Sequence, residues 1–154
     1  ETNPAIPALR GLLVEVGAGG RVLNAPGGLI ETARGNTTLV GMAVNQSGTV
    51  RATTSVEANG SILLLAQGGL RSDSNVTPGS EIYKRALESG TLVLGAGSQT
   101  RIDADASTTK SNDNAGFVPS RIDLAGRTVT LEAGAQVVAP GAAVRLRAQA
   151  APDY

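Results

Sequence analysis

Three aspartates form the pattern best suited to chemistry. Asp103 and Asp105 make a D-x-D pair at the end of TRIDAD, and Asp113 follows ten residues after the first. Two carboxylates spaced this way on a strand share a face. They could bind Ca²⁺ or divide acid and base duties, as in solenoid polysaccharide lyases and glycosidases. The plain alternative is a solvated loop entry, because STTKSNDN at 107–114 has loop composition. A lyase would also need a base and a cluster of cations, and only Lys110 and Arg121 lie near in sequence. The chain has no His and no Cys. That removes the commonest general base, the commonest metal ligand, thiol catalysis and disulfides. The expectation is a protein that performs no catalysis and holds no cofactor or metal.

Recognition is the other chemistry to consider. Aromatic residues make up 2% of the chain: Tyr83, Phe117 and Tyr154. Tyr83, with Lys84 and Arg85 beside it, and Phe117 lie in two polar interruptions, 71–90 and 103–120. Exposed rings anchor partners, so these four residues are the candidate partner contacts. The alternative is that each ring pins its own interruption to the body of the protein. Asn36, Asn45, Asn59 and Asn75 each begin an N-x-S/T acceptor pattern. Asn also suits tight corners, which accounts for these positions without any sugar.

The bulk numbers restrict the scaffold. At 154 residues and 41% apolar, the chain can build one real core. With so few rings, that core must be filled by Val, Leu, Ile and Ala, which suits a thin interior. The 20 glycines imply many turns. With 13 basic and 13 acidic residues the net charge is zero, so no basic stripe is available for nucleic acid. The longest apolar run, ILLLA at 62–66, is strand-sized and far too short for a membrane helix.

Repeats organise the rest. AGGRVLNAPG, AGSQTRIDAD and AGAQVVAPG begin alike at 18, 96 and 133. A second set of short strands is TLVGMA (38–43), SILLLA (61–66), TLVLGA (91–96), RIDLAG (121–126) and AVRLRA (143–148). Alternate positions in each are apolar and end on Ala or Gly. Between them, Asp123, Arg145 and Arg147 are expected to face water. The basic period is ~22 residues, stretched where an interruption has been inserted. Strands this short at such a period describe the coils of a β-solenoid. A sandwich would favour aromatic cores and closer-spaced hairpins. The expected fold is all-β, a single parallel β-helix over 1–154 with about six coils. In the first interruption, SEIYKRALES at 80–89 has helix start and stop signals in Ser80 and Gly90.

VNQSGTV, ANGSILLLAQGG, GTLVLGAGSQ and VTLEAGAQVVAPGAAVRL resemble the coils of filamentous-haemagglutinin-like exoproteins, over roughly residues 18–148. These are large adhesins and toxin carriers of bacterial two-partner secretion, including the contact-dependent inhibition type. The resemblance implies a right-handed parallel β-helix, exported by an outer-membrane barrel transporter and secreted or displayed on the bacterial surface. It further implies a host-cell surface or glycan as partner. The family's secretion domain carries an N-P-N-G-like motif, whereas Asn3-Pro4 here is followed by Ala5-Ile6. The chain is therefore expected to be the tail of that domain or an interior stretch of the shaft. A uniform solenoid polymer of the bactofilin kind fits less well, given the two long interruptions.

Overall fold

Alternating apolar and polar residues, broken at fixed intervals by Gly, Asn or Ser, build a three-sided coil in which each short strand is one side. The computed structural model describes residues 11–16, 20–55, 59–72, 84–105 and 119–149. The first coil contains β1 (Gly11–Glu15), β2 (Arg21–Asn24) and β3 (Leu29–Thr32). The second contains β4 (Asn36–Gly41), β5 (Ala43–Gln46) and β6 (Thr49–Thr54). The third contains β7 (Ile62–Ser72), β9 (Thr91–Leu94) and β10 (Gln99–Ala104), with β8 (Lys84–Ser89) hairpinned onto β7. The fourth contains β11 (Arg121–Gly126), β12 (Thr128–Leu131) and β13 (Gln136–Val138), and β14 (Ala143–Ala148) opens a fifth. Among the described residues, apart from the β7–β8 hairpin, every strand pairing is parallel and joins equivalent sides of neighbouring coils. Sheet A is β1-β4-β7-β11-β14, sheet B is β2-β5-β9-β12 and sheet C is β3-β6-β10-β13. The chain is a parallel β-helix.

The core consists of ladders running along the stack. On sheet A, Val14, Leu39, Leu64, Leu124 and Leu146 lie one above another. On sheet B the series is Val22, Val44, Leu92 and Val129. Two to five aliphatic side chains at about 4.8 Å spacing leave no room for a ring, which explains the near absence of aromatics. The interior also holds polar rungs. Asn24 stands beside Gln46, and both are buried. The Asn24 amide donates to Gln46 Oε1 at 2.7 Å and to the Thr49 carbonyl at 3.1 Å. The Gln46 amide in turn donates to the carbonyls of Gly48 and Gln99, at 3.0 and 2.9 Å. Two buried amides are thus tied to three backbone carbonyls at the corner between sheets B and C.

The described residues form four complete coils and one strand of a fifth. Three expectations need correction. The segment 84–89 is strand, not helix: β7 runs beyond its coil and offers an antiparallel partner, whereas a lone ten-residue helix gains little without packing. Residues 80–83 lie outside the described set. TLVLGA does not stack with the other four strands of its set. It forms β9 in sheet B, and Ala96 is an exposed turn residue. Finally, Asp123 faces outward but is 5% exposed, and Arg121 Nε sits 3.1 Å from its Oδ2. The outer surface of sheet A is also buried at Val40 and Ala125. Burial on both faces accounts for the unbroken apolar runs in its strands.

Candidate functional site

The outer side of sheet C gathers the charged residues. Parallel register places Glu31, Arg51 and Arg101 in one row on β3, β6 and β10. Asp103 lies two residues along β10, on the same face as Arg101. Its Oδ2 accepts from Arg51 Nε at 2.7 Å, and its Oδ1 accepts from Arg101 Nη2 at 2.8 Å and Nε at 2.9 Å. Glu31 adds a looser contact, 3.5 Å from Arg51 Nη1. The hydrogen bond from Arg101, followed by that from Arg51, holds the Asp103 carboxyl below the usual carboxylate range, against an opposing effect of burial. Arg51 is raised in turn, chiefly by its bond to Asp103.

Asp105 sits one step further, where the chain leaves sheet C. Its amide donates to the Thr54 carbonyl at 2.7 Å, and its carboxylate takes an ion pair from Arg34. Arg34 occupies the corner two coils below in the left-handed region, φ 55°, with its amide donating to Thr53 Oγ1 at 2.9 Å. The corner is therefore a cross-coil clamp. The two aspartates of the D-x-D pair do not converge on a shared ligand. Asp103 is paired with Arg101 of its own strand and Arg51 of the neighbouring coil, and Asp105 with Arg34; the Asp103 carboxylate, held ionised in this way, is a poor proton donor. Asp113 lies outside the described residues. Among the described residues no three potential metal ligands cluster.

The candidate partner contacts are only partly placed. Lys84 and Arg85 open β8, in register with Ser72 and Arg71. Tyr83 and Phe117 lie outside the described residues, as does Asn75. Two of the other asparagines do corner work: Asn36 Oδ1 accepts from the Ser61 amide at 3.0 Å, and Asn59 Oδ1 lies 3.1 Å from Thr54 Oγ1. Asn45 stands on the outer side of β5, between Leu23 and Val93. Both interruptions adjoin sheet A, at opposite ends of its strands: one follows Ala66 and the other precedes Arg121. Reading the sequence alone missed Arg34, Glu31 and the Asn24–Gln46 pair. The signal was present as LIE, TVR and QTR in matching places after a turn, but the hairpin between β6 and β10 hides that alignment.

Compared with family models, with curated proteins and with solved structures, the chain matches none.

Proposed function

We propose that this chain is a structural and adhesive segment of a large bacterial exoprotein, secreted or held at the cell surface: a stiff rod that displays loops for host-cell or cell–cell contact. The resemblance of its coils to filamentous-haemagglutinin-like exoproteins supplies the export route in this reading, a two-partner outer-membrane barrel. The observation that carries it is the continuity of the stack across both interruptions. Val44 pairs with Leu92 across the first, and Leu64 pairs with Leu124 across both. A scaffold that keeps its register under long insertions can present them without unfolding. The ion pairs on Asp103 and Asp105 weigh against the polysaccharide-cleaving alternative.

The test is binding of the purified chain to epithelial cells and to a glycan panel, beside the Tyr83→Ala/Phe117→Ala double variant. Saturable binding lost in that variant supports a recognition surface on the interruptions. No binding by the wild type removes the adhesive role and leaves a shaft segment. Polysaccharide cleavage lost in Asp103→Asn would replace the reading with an enzyme.

A further inference from the structure

We infer that Asn59–Gly60 is a self-modification site, closed in the folded chain and open in the unfolded one. The chemistry needs no enzyme. The Gly60 amide nitrogen attacks the Asn59 side-chain carbonyl carbon, and ammonia leaves from that carbon to give a cyclic imide. Water then opens the imide at either carbonyl. One product is aspartate. The other is β-aspartate, in which the main chain runs through the side chain and is longer by a methylene. A Cβ on the following residue hinders the attack, and glycine has none. Asn59 is the only asparagine in the sequence followed by Gly.

The corner that leads into β7 needs both residues. A Cβ on Gly60 would lie 2.6 Å from the Thr53 carbonyl oxygen and 2.8 Å from that of Gly35, so the position admits no side chain. Asn59 Oδ1 accepts from Thr54 Oγ1 at 3.1 Å. The same contacts close the reaction. The Gly60 amide donates to the Thr53 carbonyl at 3.1 Å, which holds the proton that the nitrogen must lose. The antiparallel bridge between Thr54 and Asn59 keeps the backbone there extended. The bond from Thr54 also restrains the side chain that would have to fold back over the next amide. In the folded chain the reaction therefore waits on local opening of the corner. The β-aspartate product does not fit. Its extra methylene displaces Gly60 where two carbonyl oxygens already crowd it. Just beyond, the Ser61 amide donates to Asn36 Oδ1 at 3.0 Å, the Thr37 amide donates to the Ser61 carbonyl at 2.8 Å, and the Arg121 amide donates to Ser61 Oγ at 3.2 Å. Ser61 thus joins three successive coils, and a displaced Gly60 breaks that joint before β7 pairs. A chain that stays unfolded converts itself into one that cannot complete the stack, and a folded chain is spared.

Parallel incubation in buffer and in guanidinium chloride at mildly alkaline pH, followed by peptide mass mapping, tests the inference. Conversion at Asn59 should be at least about tenfold slower in the folded chain. After removal of guanidinium, size-exclusion chromatography separates refolded from misfolded protein. Chains with β-aspartate at 59 should be confined to the misfolded fraction. Asn59→Asp, which brings the charge without the methylene, should give the wild-type far-ultraviolet circular dichroism spectrum. Equal rates in the two solutions overturn the inference. So does β-aspartate in the refolded fraction. An Asn59→Asp variant that does not fold overturns it too, because the damage would then lie in the charge.

Discussion

Asp103 shows how a residue suited to catalysis becomes structural. Its carboxylate accepts hydrogen bonds from Arg101 on its own strand and from Arg51 on the neighbouring coil. Its folded pKa is lowered, so its contribution to stability is present above the unfolded value of about 3.9 and is lost as pH falls through the folded value. Asp103→Asn should therefore cost about 1 kcal/mol near neutral pH, because the arginines remain partly in water. The gap between the variant and wild type should close below pH ~4 in denaturant melts. A gap that stays constant with pH would show that the charge is not what matters. Arg34 gives a second prediction. Its backbone lies in the region that glycine occupies freely, at φ 55°. Arg34→Ala and Arg34→Gly both lose the pair with Asp105, but only Gly relieves the backbone. The Gly variant should be the more stable of the two by about 1 kcal/mol. Equal stabilities would place the strain elsewhere.

At the scale of the element, the inner face of a short strand decides its place. β5 carries Val44 and Gln46 inward, both fully buried. Gln46→Ala would remove the acceptor for Asn24 and the donor to two backbone carbonyls. Each group left dry and unpaired costs roughly 1–3 kcal/mol, so this one change should lower the unfolding midpoint more than Asn45→Ala on the outer side of the same strand. Equal losses in the two variants would mean that the amide ladder is not a stabilising element. β8 shows the reverse case, in which local preference is overruled. KRALES favours a helix by composition, yet it lies antiparallel to β7, because an extended neighbour satisfies its backbone groups along the strand. Glycine matters most where elements close on each other. A Cβ on Gly90, where the chain returns from the hairpin into the coil, would overlap the Met42 carbonyl.

Across the whole molecule, protection is uneven. The rungs at Ile62, Leu64, Ile122 and Leu124 are at most 1% exposed, whereas Val144 and Leu146 are about half exposed. Solenoid stability is a sum over neighbouring coils, and among the described residues β14 is paired with β11 alone. In dilute protein, β14 amides should exchange at least tenfold faster than those of β7 and β11, as read by hydrogen exchange. Uniform exchange along the stack would show that β14 is as well protected as the interior strands.

The coil itself was legible in the residues. Alternation within RIDLAG and AVRLRA, the ~22-residue period and the small aliphatic composition lead to one architecture, because only a narrow stack buries such strands. The sheet to which each strand belongs was not legible. TLVLGA and SILLLA share the same inward pattern, and only the pairing of Leu92 with Val44 assigns the former to sheet B. The fate of the charges was equally hidden. Glu31, Arg51 and the Arg101–Asp103 pair lie far apart in the chain and meet only after three coils are wound and the hairpin is set aside. Asp123 reads as a solvated residue until the outer side of sheet A is seen to be covered. Periodicity reports which way a side chain faces relative to its own strand. What lies opposite that face depends on contacts between distant segments, and the fold alone determines those.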